Sequence, residues 1–139
     1  APSINYQNQK SNPNKVLDLF TIKLDWDRKN LNDRINHRLD SMLSSGWIEE
    51  VNDLIEYERK ENSLFPALNT IGYGQIQSFL KNEISFEKMK ENIFIKTRQF
   101  AKRQNQWFNR ENTELTIKMD DLKIDEIIQI LCGIFKVMI

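Results

Sequence analysis

A single cysteine, Cys132, and a single histidine, His37, stand in 139 residues. One thiol cannot close a disulfide within the chain, and it suits a reducing compartment. One Cys with one His cannot assemble a usual zinc site either. Glycine is equally scarce: Gly46, Gly72, Gly74 and Gly133 are the whole set. No Gly-x-x-x-x-Gly-Lys-Ser/Thr loop exists, so this chain does not cradle a nucleotide by that device. Long apolar runs are missing too. The stretch Ile127 to Ile139 is apolar but short, and Lys136 interrupts it, whereas a membrane span needs about 20 apolar residues. It is expected to be a buried helix end, with Cys132 a structural thiol inside it. The polar opening, Ala1 to Lys15, has no apolar core of the signal-peptide kind. It starts without Met and reads like a loop cut open, so a piece of a larger protein is expected.

Charge of neither sign is in excess. Lys+Arg and Asp+Glu both number 20, so net charge names no partner, and only its distribution informs. With 40% hydrophobic and 29% charged residues the chain has an ordinary soluble balance. Its length suits one domain that buries roughly 70% of its unfolded surface.

Residues 1–15, rich in Asn, Gln, Ser and Pro, read as a flexible linker, followed by residues 16–139 as one unit. Val16 to Leu24 is rich in β-formers and predicts a short strand. Asp27 is a good N-cap for a helix whose apolar face carries Leu31, Ile35, Leu39 and Met42. Gly46 suits the left-handed position that ends it. A second helix is expected from Ile48 to about Arg59, with Glu49 and Glu50 in its first turn, where the helix dipole favours them. Asn62 to Pro66 reads as a loop. A third helical segment is expected over roughly Ala67 to Lys81, interrupted or delayed by Gly72 and Gly74. Each glycine inside a helix costs about 1 kcal/mol relative to alanine, so two so close together need a reason. The longest helix is expected from Ser85 to about Arg110, with Phe86, Met89, Ile93, Phe100 and Trp107 on one stripe. Thr97 and Gln104 fall on that stripe as well, which is odd for a plain core face. Glu114 to Met119 predicts a second strand, and Asp125 to Val137 a last helix.

Three clusters could carry chemistry. Lys96, Arg98, Lys102, Arg103 and Arg110 follow one another without an acid, interleaved with Gln99, Gln104, Asn105 and Gln106. Cations meet phosphates while amides meet base edges, so the run suits a nucleic-acid strand; a solvated helix face explains it as well. Arg34 and Arg38 are spaced i, i+4 beside the apolar stripe. The planar fork of Arg suits phosphate oxygens, though Asp33 and Asp40 could make them a surface pair. In Thr70-Ile71-Gly72-Tyr73-Gly74-Gln75 the glycines permit close backbone approach, and Tyr73 could stack on a base or pack in the core. His37, beside two arginines, reads as structural rather than as a general base.

Three segments, LNDRINHRLDSMLSSGWIEEV (Leu31 to Val51), LNTIGYGQIQSFLKNEIS (Leu68 to Ser85) and TRQFAKRQNQWF (Thr97 to Phe108), resemble in order and spacing the C-terminal half of the tRNA dimethylallyltransferases, also called tRNA isopentenyltransferases. The resemblance covers roughly Val16 to Arg110. It implies an α/β parent fold with a core like that of P-loop kinases. This chain would be its mostly α-helical C-terminal part, with two short strands joining a sheet formed mainly elsewhere. The implied activity is transfer of a dimethylallyl group from dimethylallyl diphosphate to the exocyclic amine of adenosine 37 in tRNA. The implied partners are the tRNA anticodon stem-loop and dimethylallyl diphosphate, in a cytoplasmic, monomeric protein without a membrane. The ATP-type P-loop, the general-base Asp and the ligands of the implied Mg2+ would lie outside this chain, which would be inactive alone. By the family pattern, Arg38 matches the arginine that helps bind the allylic diphosphate. Thr70, Ile71, Gly72, Tyr73, Gly74 and Gln75 match one stretch that contacts tRNA. Arg98, Gln99, Lys102, Arg103 and Gln104 match another. Three positions depart from the pattern: Gln106 where Thr usually precedes the Trp, Asn109 for a common Arg, and Gly74 for a larger polar residue. A non-catalytic RNA-binding module derived from the enzyme, or a remnant that binds nothing, are the alternatives.

Overall fold

The computed structural model describes residues 20–111, 113–120 and 122–138. The expected linker at 1–15, and the first part of the strand expected from Val16, lie outside them. What remains of that strand is β1, Ile22–Asp25. It pairs in parallel with β2, Leu115–Lys118, placing Ile22 opposite Leu115 and Leu24 opposite Ile117. Parallel neighbours need a long crossover, and here four helices supply it.

The first is α1, Arg28–Ser44. Asp27 caps it as expected, its carboxylate accepting the Lys29 N–H at 2.9 Å. A second carboxylate ties that end to the sheet. Asp120, just past β2, accepts the Asp27 N–H at 2.7 Å and the Asn30 side-chain amide at 2.9 Å. Those bonds hold the Asp120 carboxyl below its ordinary range, the Asn30 amide most strongly. Gly46, at φ +92°, turns the chain in the left-handed conformation that glycine tolerates. Trp47–Glu61 forms α2 directly behind it.

The third helical segment divides at Gly72. Pro66–Asn69 makes a 3₁₀ turn, and α3 runs Tyr73–Leu80. Gly72 sits at φ +98°, and a Cβ there would lie 2.1 Å from Cη2 of Trp47. This close approach is the reason the sequence demands glycine. At Gly74 a Cβ would meet nothing within 4 Å, so no packing requires that glycine.

Helix α4, Phe86–Phe108, is capped by the Ser85 hydroxyl, which accepts the Lys88 N–H. The core gathers Leu39, Trp47, Val51, Leu68, Ile76, Met89 and Ile93 from α1, α2, the 3₁₀ turn, α3 and α4. The apolar stripe expected along α4 is buried only at Met89 and Ile93; Phe100 is 46% and Trp107 57% exposed. The physical reason is length. With 23 residues, α4 runs about 35 Å, longer than either helix packed on it, the 17-residue α1 at about 25 Å and the 8-residue α3 at about 12 Å. The last helix, α5, Ile124–Met138, also departs from expectation. Ile127 is buried, but Ile124 is 75% exposed, and Ile128 and Cys132 are exposed too. Apolar composition asks for a partner surface, and among the described residues of α5 only Ile127 is buried, with Leu131 and Ile134 half-buried.

Candidate functional site

Arg38 leaves α1 toward a cavity of about 640 Å3 that α1, α4 and the 3₁₀–α3 junction enclose. Asn69, Thr70, Ile71 and Tyr73 line it too, and Ile35, Leu39, Met42, Trp47, Ile93, Thr97 and Phe100 complete the wall. The lining is mainly apolar, with one guanidinium and a few hydroxyl and amide groups. Arg34, one turn earlier, does not reach this cavity; its guanidinium lies 4.3 Å from the Trp26 ring centroid. His37 is exposed and lines none of the cavities described here.

Tyr73 is held from two sides. Its hydroxyl donates to Glu50 Oε1 at 2.6 Å, and its ring meets Trp47 edge-on, centroids 5.8 Å apart. The bond to Glu50, with partial burial second, raises the phenol above its ordinary value of 10.0. The nearby Trp47 indole works weakly in the other direction, but its buried Nε1 makes no well-formed hydrogen bond. The segment around Tyr73 is rigid in other ways. Thr70 Oγ1 donates to the Ala67 carbonyl at 2.7 Å, the Gly72 N–H donates to Gln75 Oε1 at 2.8 Å, and Gln77 Nε2 donates to the Leu68 carbonyl at 2.7 Å. Gly72 itself is buried against Trp47 rather than offered to a ligand.

The basic run of α4 divides among faces. Arg98, Gln99 and Lys102 line a second cavity, about 460 Å3, with Asn105 and Gln106. Arg103 turns back over Phe100, 5.9 Å from its ring centroid, and Gln104 lines none of the cavities. A third, polar cavity of about 270 Å3 joins Thr70, Ile71, Gly74 and Gln75 to Lys81 and Lys96. Residues of the two stretches, read from the sequence as separate clusters, therefore line three cavities that each touch α4.

Sequence reasoning did not single out Trp26, Arg28, Asn32, Trp47 or Asn69. Thr97 carried a signal, as a polar residue on an apolar stripe. It lines the main cavity, with its hydroxyl bonded back to the Ile93 carbonyl at 2.8 Å. Among the described residues no three His, Cys, Asp or Glu side chains gather to hold a metal ion, and no helix is long and apolar enough to cross a membrane.

Residues 2–111 match the family model described as IPP transferase. The chain is 34% identical over 126 residues to a tRNA dimethylallyltransferase of Salinibacter ruber, covering 91% of this chain and 38% of that protein. It is 40% identical over 120 residues to one from Kosmotoga olearia, covering 84% and 38%. A solved structure of the full-length tRNA isopentenylpyrophosphate transferase from Bacillus halodurans superposes with a TM-score of 0.75 at 27% identity, over 85% of this chain and 38% of that one. The tRNA delta(2)-isopentenylpyrophosphate transferase from Staphylococcus epidermidis gives 0.73 at 31%, over 88% and 39%. The chain thus spans under two fifths of the length of these relatives.

Proposed function

Since the chain belongs to the IPP transferase family, we propose that residues 16–139 are the C-terminal part of a tRNA dimethylallyltransferase, the part that encloses the prenyl donor and holds the tRNA anticodon stem-loop. The observation that carries this reading is the main cavity. It brings Arg38, the one cation of a mainly apolar lining, into the same cavity as Thr70, Ile71 and Tyr73. A dimethylallyl diphosphate has the same division, a five-carbon apolar group joined to a polyanion.

The reaction forms a bond from the exocyclic amine nitrogen of adenosine 37 to C1 of the allylic group. The C1–O bond breaks, its electron pair leaves with diphosphate, and the amine loses a proton. Cationic character builds on carbon and negative charge on the leaving oxygen. Arg38 stabilises that charge without changing its own protonation, because a guanidinium stays charged at any working pH. Ile35, Leu39, Met42 and Ile93 exclude water from the allylic carbon. Since a stacked base cannot reach a buried carbon, adenosine 37 must leave its stack first; Tyr73 and Phe100, aromatic and at the cavity wall, are suited to receive it. Arg98, Gln99, Lys102, Arg103 and Gln104 then hold the flanking strand through phosphate and base contacts. The segment Thr70 to Gln75 holds the loop at the other wall. The P-loop, the general base and the residues holding Mg2+ belong to the rest of such an enzyme, in a cytoplasmic, monomeric protein.

The test is transfer of label from dimethylallyl diphosphate by a transferase that contains this chain. Label on adenosine 37, and none on a tRNA carrying guanosine there, is expected. Equal labelling of both, or of neither, overturns the reading. The 139-residue chain alone should transfer nothing.

A further inference from the structure

The second cavity shares no lining residue with the first, though α1 and α4 wall both. Three cations line it, Arg28, Arg98 and Lys102, together with the amides Asn32, Gln99, Asn105, Gln106 and Asn109, and no carboxylate. None of the three cations forms an ion pair among the described residues. The one aromatic in the lining is Trp26.

Trp26 is fixed in place. It lies in the short link between β1 and α1, whose next residue, Asp27, is tied through its N–H to Asp120. The Arg34 guanidinium sits 4.3 Å from its ring centroid, a cation–π contact that orders the indole before any ligand arrives. A pre-ordered aromatic loses little entropy when a partner stacks on it. The volume, about 460 Å3, falls in the range of pockets that enclose one small ligand, a size that suits a single nucleotide rather than a duplex.

We propose that this cavity is a second nucleotide subsite, in which Trp26 stacks on one unpaired base of the RNA while Arg28 and Lys102 meet the adjoining phosphates. The inference rests on the RNA-binding reading above and adds the α1 wall to it. Amides suit base edges and cations suit phosphates; an aromatic platform suits any base, because every base has a π face. On α4 the two cavities adjoin, Thr97 facing one and Arg98 the other. A loop that places one nucleotide in the main cavity can then extend along α4 to a neighbour beside Trp26.

The experiment measures the affinity of the 139-residue chain for an anticodon stem-loop RNA, by fluorescence anisotropy of a labelled RNA over a salt series. Trp26→Ala should weaken binding about 5- to 150-fold, the range for losing one stacked base, with the salt slope unchanged. Trp26→Phe should restore most of it. Arg28→Gln should instead flatten the log–log salt slope by about 0.7, one phosphate on a single strand. A set of stem-loops, each abasic at one loop position, locates the base: for one of them the Trp26→Ala penalty should vanish. If the parent binds the RNA and folded Trp26→Ala binds as tightly, this subsite is overturned and the family function stands. If the parent binds no stem-loop, the RNA reading of this chain falls as well.

Discussion

Arg34 and Arg38 stand one helical turn apart on α1, yet they serve different cavities: Arg34 stacks on Trp26 at 4.3 Å, while Arg38 lines the main cavity. Spacing of i, i+4 puts two side chains on one helix face, but each has a long stem and takes the nearest favourable partner. For Arg34 that partner is an indole; Arg38 makes no cation–π contact or ion pair among the described residues, and its guanidinium remains for an anion.

In a transferase that contains this chain, Arg38→Ala should therefore slow prenyl transfer strongly and leave tRNA affinity nearly unchanged. A charge-assisted bond to the developing diphosphate contributes about 1.5–3 kcal/mol, or roughly 10- to 150-fold in rate. Arg34→Ala should have a smaller effect on rate. Single-turnover rates beside tRNA binding constants check this; loss of tRNA binding at normal turnover would reverse the assignment of Arg38.

The two glycines of the 70–75 segment should respond in opposite directions. Gly72→Ala drives a methyl into Trp47 at a positive φ and should destabilise the fold by about 2–4 kcal/mol, from overpacking and left-handed strain together. Gly74→Ala meets open space within α3 and should stabilise by roughly 0.5–1 kcal/mol. Denaturant midpoints of the two variants measure both signs. A stabilised Gly72→Ala would remove the packing explanation.

Along α4, stability should follow burial and not the periodic stripe. Met89 is 0% exposed, and Met89→Ala should cost about 2–5 kcal/mol. Phe100→Ala and Trp107→Ala, about half exposed, should each cost under about 1.5 kcal/mol, much of their surface being wet in the native state. Urea unfolding of the three variants ranks them. A Trp107→Ala cost equal to that of Met89→Ala would show that the helix end has a partner.

Asp120 should make stability depend on acid. Its carboxyl titrates below the ordinary 3.8 because Asn30 and the Asp27 N–H bond to the charged form. A lowered folded value means the stabilisation is fully present above about 3.8 and is lost as pH falls through the lower, folded value. Thermal midpoints of the parent and Asp120→Asn should differ most at about pH 5 and converge toward about pH 2. A constant difference across that range would exclude this link between β2 and α1.

Local signals were legible without the structure. Asp27 and Ser85 cap helices because a side-chain oxygen reaches a backbone N–H two or three residues on, a contact that needs nothing distant. Gly46 and the strand residues around Ile22 and Ile117 were legible for the same reason, and so was the family, from three segments whose order and spacing are themselves sequence properties. Tertiary structure alone decided the rest. That Gly72 must be glycine depends on Trp47, 25 residues away in the chain. Periodicity says which residues of α4 share a face, but burial needs a partner of matching length, and α1 and α3, which pack on it, are both shorter. For α5, likewise, an apolar face is a sequence property and the surface that covers it is not. The joining of Arg38 to Thr70 and Tyr73 in one cavity, and of Trp26 to Arg98 in another, arises from how α1 packs on α4, through contacts between residues far apart in the chain.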